Sequence, residues 1–277
     1  MANCKYCNKP AGFLRFTHKE CDAKFKGGKA EISSTALSAI RNNTDLTELK
    51  SNIERVARNS FINEPDQKAL IISAWQQAVD AFLDDGVLDR SEETRLVEYK
   101  NHFLLNDTDL DRSGHLTKTA KAGVLRDLAE GKIPERVSLD GAVALNLQKS
   151  EKIIWAFPGT EYLEDKTRRQ FVGRSAGVSV RIMKGVYYRE SAFRGHPVEY
   201  TERVSLGRGL LVVTNKHMYF HSQVKSFRVP FQKIVSFEPY SNGIGFSRDA
   251  ANAKPQIFIN GDGWFIYNLV SNVANIA

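Results

Sequence analysis

The sequence predicts an α+β multidomain chain with three modules: a small metal knot, an all-α helical domain and an antiparallel β-barrel with a C-terminal helix. Three observations predict this organisation. All three cysteines lie near the N-terminus, apolar residues recur at helical spacing after position 32, and short runs rich in Val, Ile, Tyr and Phe follow position 150. We expect the modules to cover residues 1–28, 29–135 and 136–277.

Residues 1–28 have the spacing of a metal site. Cys4 and Cys7 form a C-x2-C pair, and ten residues later His18 and Cys21 form a second pair. Three thiolates and one imidazole suit a closed tetrahedral zinc site with no position for an activated water, so we expect structural Zn²⁺. So short a segment buries little core, and the metal would supply its folding free energy. The alternative is one disulfide and one free thiol, which an odd cysteine number in a cytosolic chain disfavours.

This N-terminal knot resembles the small zinc-ribbon or treble-clef heads of many prokaryotic proteins. Residues 1–30 carry seven Lys and Arg against two acids, with Phe13, Phe16 and Phe25 interleaved. Basic and aromatic side chains together can bind nucleic acid, although in so small a knot the rings can instead form its core. Gly27 and Gly28 end the knot, and we expect a hinge there.

Residues 29–135 have helical periodicity and an acidic balance. A cap signal at Thr44 and Asp45 precedes apolar positions on one face. The acidic joint at 83–93, LDDGVLDRSEE, resembles the helical domain of the tellurite-resistance B-like family over residues 61–131. In that family the acidic joints are associated with metal binding. The resemblance therefore implies a second metal site at Asp84, Asp85 and Glu92.

A second acidic connector at 109–117 is similar to the start of a calcium-binding EF-hand loop. The residue at the twelfth loop position, normally a bidentate glutamate, is Ala120 here. We therefore interpret the connector as a tight loop, in which Asp and Ser side chains cap the next helix and Gly114 takes a positive φ.

Residues 136–277 carry the strand pattern. Apolar runs at 210–213, 218–220, 227–229 and 234–237 are separated by polar turns, and Phe265, Leu269, Val273 and Ile276 share one face of a final helix. The segment KSEKIIW at 149–155, the hairpin GLLVVTNKHMYF at 209–220 and IVSFE at 234–238 resemble a bacterial pleckstrin-homology-like (PH-like) or GRAM-like domain. That resemblance implies a barrel that binds proteins, lipids or other ligands without catalysing a reaction.

The stretch 161–195 is longer than a simple hairpin needs. Between positions 166 and 194 it has eight basic residues against one acid, with small residues interspersed. Arg side chains and backbone amides in such a segment suit phosphate. The predicted anion-binding residues are Lys166, Arg168, Arg169, Arg174, Arg181 and Lys184. The alternative is a solvated basic face, or one that docks on the acidic helical domain.

Charge distribution, hydropathy and motifs limit the classes of function that the chain can have. The net charge is +7, and residues 1–30 and 151–277 are basic whereas residues 31–100 are acidic, so an anionic partner suits either end. The chain has no apolar run of membrane-spanning length and no secretory signal, so we expect a cytoplasmic protein. A G-x-S-x-G motif at 173–177 lacks the following helix that a hydrolase needs.

We therefore predict a non-enzymatic cytosolic sensor or adaptor that binds a ligand or a partner protein through its PH-like barrel. An anionic lipid surface is another expected ligand of the barrel. The module combination resembles bacterial stress-response and phage-defence proteins, which suggests a role of that kind. The runner-up is a nucleic-acid-binding protein that uses the knot and the 166–194 stretch.

Overall fold

The computed structural model describes residues 2–12, 15–137, 145–183, 186–250 and 254–276, with side chains described outside 167–201. Backbone contacts divide the chain into two compact units, Met1–Lys132 and Ile133–Ala277. The finer division of the first unit into a knot and a helical domain stays a prediction. None of the described helices combines the length and apolar character needed to cross a membrane.

The first unit is helical beyond the knot, as predicted. Buried apolar residues of several helices form one core, which includes Ile53, Trp75 and Tyr99. Asp45 accepts hydrogen bonds from the backbone N–H groups of Thr47 (2.7 Å) and Glu48 (2.9 Å), so the predicted cap is confirmed. The helices are α1 (Lys19–Arg41), α2 (Leu46–Asn59), α3 (Glu64–Phe82), α4 (Arg90–His102), α5 (Asp107–Asp111) and α6 (His115–Ala129).

The second acidic connector contains α5 and the turn before α6. Gly114 has a φ of +77°, as expected, and Asp111 accepts hydrogen bonds from the backbone N–H and hydroxyl of Thr117, both at 2.7 Å. The positive φ of Gly114 and the contact of Asp111 with the first turn of α6 agree with the interpretation, but the start of the connector is helical and capping by Ser113 stays a prediction.

The predicted hinge at Gly27 and Gly28 is wrong, because α1 passes through both residues without interruption. Gly28 is buried, and a Cβ atom there would lie 2.3 Å from both Cβ and Oγ of Ser60. The glycine therefore permits a close approach between α1 and the end of α2. Gly27 has nothing within 4 Å of its Cβ position. Of the glycine pair, one residue serves helix packing and the other faces open space.

Substitution of these two glycines should have opposite effects on stability. Gly28→Ala should destabilise the first unit by about 1–3 kcal/mol, because the new methyl group overpacks the contact with Ser60. Gly27→Ala should stabilise it by up to about 1 kcal/mol, because alanine is the better helix former. Urea unfolding followed by circular dichroism measures both, and equal effects of the two substitutions would contradict the close helix contact.

The second unit contains one antiparallel sheet with strand order β4-β3-β2-β1-β7-β6-β5. Among the described residues β4 and β5 each pair with one strand, so the sheet is open and the predicted closed barrel is not confirmed. The strands are β1 (Ile153–Met183), β2 (Val186–Thr214), β3 (His217–His221), β4 (Ser226–Pro230), β5 (Ile234–Tyr240), β6 (Gly243–Arg248) and β7 (Gln256–Ile259), with a 3-10 turn at Phe231–Lys233.

The C-terminal helix α7 (Gly263–Ile276) contacts β5 and β6. Its buried residues include Phe265, Leu269 and Val273 of the predicted face, whereas Ile276 is partly exposed. The ring of Phe265 meets Trp155 edge-on at 5.0 Å between centroids, which attaches the helix to β1. The predicted amphipathic C-terminal helix is thus confirmed.

Strands β1 and β2 pair along their full lengths, from Ile153↔Thr214 to Met183↔Val186. The separate short strands predicted between 178 and 204 are therefore parts of two long strands. The G-x-S-x-G residues 173–177 lie inside β1 and not at a strand-to-helix elbow.

Candidate metal centre

The predicted ligands Cys4, Cys7, His18 and Cys21 come together. One ligand atom from each lies within 4.8 Å of all the others, and this is the one group of three or more metal-type side chains found among the described residues. His18 Nδ1 lies 3.3 Å from Cys7 Sγ and 3.8 Å from Cys21 Sγ. Tetrahedral zinc with ordinary bond lengths places nitrogen and sulfur ligands about 3.5 Å apart. The four side chains are close enough to bind one metal ion.

The first two ligands lie on a tight backbone turn. The N–H of Cys4 donates to the carbonyl of Lys9 (2.8 Å), and the N–H of Asn8 donates to the carbonyl of Cys4 (2.9 Å). Asn8 has a φ of +55°, which asparagine tolerates better than most residues. The turn directs both thiols of the C-x2-C pair to one side.

The other two ligands lie at the start of α1. His18 is the residue before the helix and Cys21 is in its first turn, so the H-x2-C spacing places both on one helix face. The backbone N–H of His18 also approaches Cys4 Sγ at 3.4 Å, which joins the two halves of the site. The knot is therefore continuous in structure with a long helix.

The imidazole of His18 is oriented by a second contact. Its Nε2 lies 3.0 Å from the carbonyl oxygen of Pro10, where an Nε2–H group donates, and this leaves Nδ1 facing the thiols. A metal-binding histidine commonly donates its other ring N–H to such an acceptor. The Pro10 carbonyl, together with the Cys7 thiol, raises the pKa of His18.

The thiols of Cys4 and Cys21 differ in acidity. Burial opposes ionisation of Cys4, but backbone N–H groups of Cys7, His18 and Tyr6 outweigh it and lower its pKa from 9.0 to about 6. Burial and the neighbouring thiols raise the pKa of Cys21 to about 11. Negative charge on one sulfur thus opposes ionisation of the next. A divalent cation would offset this repulsion, since it binds several thiolates at once.

In the acidic joint at 83–93, which is predicted to bind a second metal, two carboxylates accept hydrogen bonds from the backbone. Asp85 accepts a hydrogen bond from the Val87 N–H (2.9 Å), and Glu92 accepts one from the Asp89 N–H (3.0 Å) in a capping box that begins α4. Burial, followed by the nearby Asp89 and Asp85 charges, raises the pKa of Glu92. Metal binding by Asp84, Asp85 and Glu92 stays a prediction.

Most of the predicted anion-binding residues lie outside the described side chains. The side chains of Arg168, Arg169, Arg174 and Arg181 fall in 167–201, and Lys184 lies outside the described residues altogether. Lys166 is described and exposed on β1. Anion binding by this stretch therefore stays a prediction.

A buried polar cluster that no sequence motif indicated lies around Glu151, whose side chain has no exposed area. One carboxylate oxygen accepts hydrogen bonds from the hydroxyl of Thr214 (2.5 Å) and lies 2.9 Å from His217 Nδ1. The other accepts from the hydroxyl of Tyr219 (2.9 Å) and the N–H of Gln148 (2.7 Å). These bonds fasten the chain before β1 to the β2–β3 hairpin.

Comparisons with known proteins identify no family. No family profile matches the chain, and no curated protein matches its sequence. Among solved structures, it matches the complex of the PDZ-RhoGEF DH/PH domains with GTP-gamma-S activated RhoA, with 12% identity, a TM-score of 0.25, and coverage of 95% of this chain and 75% of that chain. A TM-score this low does not establish a common fold.

Proposed function

We propose that this protein is a non-enzymatic cytoplasmic adaptor, with a structural zinc ion in its N-terminal knot and a PH-like second unit that binds a partner protein. The observation that carries the partner-binding role is the backbone pairing of β1 and β2. Strand β7 pairs with β1 at 161–164, and β3 pairs with β2 at 210–213. Beyond these positions, within the described chain, the two long strands pair only with each other.

We call residues 165–183 and 186–204 the β1–β2 ribbon. A two-stranded ribbon has two edges, and each presents backbone N–H and C=O groups that a further strand can pair with. Addition of an extended segment to such an edge is a common mode of protein recognition. The ribbon is also far longer than the tight connection that two neighbouring strands require. These features support a ribbon that serves binding.

Two features support the PH-like assignment and a non-enzymatic role. The sheet is antiparallel throughout, and it is followed by a helix that contacts β5 and β6. The buried carboxylate, Glu151, has its oxygens occupied by four structural contacts, which leaves it poorly placed for acid–base chemistry. A stress-response or phage-defence role stays a prediction from the module combination.

The donor set supports zinc as the metal. Three thiolates favour zinc over the hard cations calcium and magnesium, which prefer oxygen ligands. Bound zinc would supply folding free energy and no catalytic water, because four protein ligands complete its coordination. Reduced thiols of this kind also fit a cytoplasmic location.

The adaptor role is tested by removing the ribbon. Lys166 and Glu202 are paired, so an Asn-Gly turn can replace residues 167–201 without changing the strands below. We expect the shortened protein to fold and to lose a specific protein partner that copurifies with the full chain. The control for removal of the ribbon is the triple variant Arg168→Ala/Arg169→Ala/Arg174→Ala, which keeps both strands and removes three positive charges.

Gel-shift and vesicle-binding assays on that triple variant separate the alternatives. If the ribbon binds a partner protein, the triple variant should bind nucleic acid and anionic vesicles as the unmodified protein does. Loss of DNA binding would support the nucleic-acid runner-up, and loss of vesicle binding would assign the unit to a lipid surface. Either loss, or a partner that still binds after ribbon removal, would overturn the proposed role of the ribbon.

A further inference from the structure

Phe16 lies on the surface of the N-terminal knot, with 72% of its area exposed. The knot's other described aromatics behave as expected for a small core, since the rings of Tyr6 and Phe25 pack 4.9 Å apart. Within the described part of the chain Phe16 packs against no other ring. The alternative in which Phe16 forms part of the core of the knot is therefore wrong. A single exposed apolar residue is ordinary in proteins, so its surroundings decide whether it matters.

Three cationic residues, Lys5, Arg15 and Lys19, lie near Phe16 along the backbone. The N–H of Lys5 donates to the carbonyl of Phe16 (3.0 Å), which fixes these two segments side by side. Arg15 precedes Phe16, and Lys19 begins α1. All three cationic side chains are exposed. We call Lys5, Arg15, Phe16 and Lys19 the Phe16 surface.

No described ion pair involves Lys5, Arg15 or Lys19. The ion pairs formed nearby are Lys26–Asp22 (2.7 Å) and Lys29–Asp66 (3.2 Å), and neither involves the Phe16 surface. The Lys5 ammonium lies 4.7 Å from the centre of the Tyr6 ring, a contact that leaves its charge available. The three exposed cations are therefore close to Phe16 along the backbone and form no described ion pair, although the exposed Glu20 follows Lys19.

The metal ligands hold this surface together. Lys5 lies between Cys4 and Cys7, and Phe16 and Lys19 lie on either side of His18. Binding of one ion to the four ligands would fix the backbone positions of the ring and of two cations. Such preorganisation reduces the entropy that binding must overcome.

We propose that the Phe16 surface binds single-stranded nucleic acid, with a base stacked on Phe16 and backbone phosphates paired with Lys5, Arg15 and Lys19. Cations beside an exposed ring match the alternation of phosphate and base in a single strand. A duplex hides its base faces, and an acidic peptide would leave the ring unused. This inference goes beyond the adaptor role and depends on the knot alone.

The test is fluorescence anisotropy with a labelled 12-nucleotide oligothymidylate and the zinc-loaded full chain. Phe16→Ala should weaken binding about tenfold, because one base–aromatic stack is lost. The logarithm of the binding constant should fall with the logarithm of salt with a slope of about −2, from about −0.7 for each of three phosphate contacts. Lys5→Ala or Lys19→Ala should each reduce that slope by about 0.7.

Matched controls separate the surface from general effects. Leu104→Ala removes an apolar side chain that is 87% exposed but lies outside the knot, and Lys50→Ala removes an exposed charge on α2. Both should bind the oligonucleotide as the unmodified protein does. Zinc content and circular dichroism confirm that each variant is folded.

Three results would overturn the proposal. They are unchanged binding by Phe16→Ala, equally tight binding of a 12-base-pair duplex, and equally tight binding of labelled poly-glutamate, which would indicate an acidic protein ligand. The Arg168→Ala/Arg169→Ala/Arg174→Ala variant should retain oligonucleotide binding, so failure here is distinct from failure of the adaptor role.

Discussion

Cys7→Ser is expected to weaken zinc binding at least about a hundredfold, because loss of even a contact outside the coordination sphere typically weakens metal affinity 10–100-fold. A serine hydroxyl is a poor ligand, and three donors leave the ion open to water. Cys7 is half-buried, so the substitution itself disturbs little packing. Metal analysis of natively purified protein should find about one zinc per chain, and far less in the variant.

His18 provides the matched pair for this experiment. His18→Cys keeps four ligands and should retain zinc, whereas His18→Ala should lose it. The first variant also removes the contact of the ring with Pro10, so somewhat weaker binding is expected. Natively purified protein without zinc, or full zinc content in Cys7→Ser, would contradict the metal centre.

Glu151→Ala is expected to destabilise the second unit by about 3–5 kcal/mol, because it leaves several buried hydrogen-bond donors without an acceptor, each at a cost of about 1–3 kcal/mol. The substitution leaves the hydroxyls of Thr214 and Tyr219 and the N–H of Gln148 without their acceptor. Glu151→Gln keeps one acceptor oxygen and should cost less. Chemical unfolding followed by tryptophan fluorescence measures these changes.

The exposed Glu238 on β5 supplies the control for Glu151. Glu238→Ala should change stability by less than about 1 kcal/mol, as expected for a surface position. Equal effects of the two alanine substitutions would contradict the structural role of the buried cluster.

The same cluster gives the second unit a defined pH dependence. Burial tends to raise the pKa of Glu151, but hydrogen bonds from Thr214, Gln148, His217 and Tyr219 outweigh it and lower the pKa. The folded protein therefore holds this carboxylate ionised more strongly than the unfolded chain does. Its stabilising contribution is present above the unfolded pKa and is lost as the pH falls through the folded pKa. Glu151→Gln should lack this component of acid unfolding.

The elements with local signals could be predicted from the sequence. The two ligand pairs are short motifs with strict spacing, and the cap at Asp45 and the face of α7 follow from residue type and periodicity. Glu151 could not be found this way, since its partners Thr214, His217 and Tyr219 are more than sixty positions away in the chain. A buried carboxylate without a nearby motif gives no periodic signal.

The error at Gly27 and Gly28 has a physical reason. Two adjacent glycines favour a break when only local preferences are considered. The missing side chain at Gly28 instead lets α1 approach Ser60, and packing outweighs the poor helix propensity of glycine. Similarly, the alternation of apolar and polar residues between 178 and 204 predicted short strands. The full length of β1 and β2 depends on the pairing between the two strands, which local patterns do not show.

The continuity of α1 with the metal centre has a thermodynamic consequence. Cys21 lies in the first turn of a helix whose later residues, including Ile32 and Ile40, belong to the core shared with α2 and α3. Ion binding and folding of that core are therefore linked equilibria. Free zinc at a thousand times its dissociation constant would add about 4 kcal/mol to the folded state. A bound ion would thus raise the unfolding free energy of the helical unit as well as that of the knot.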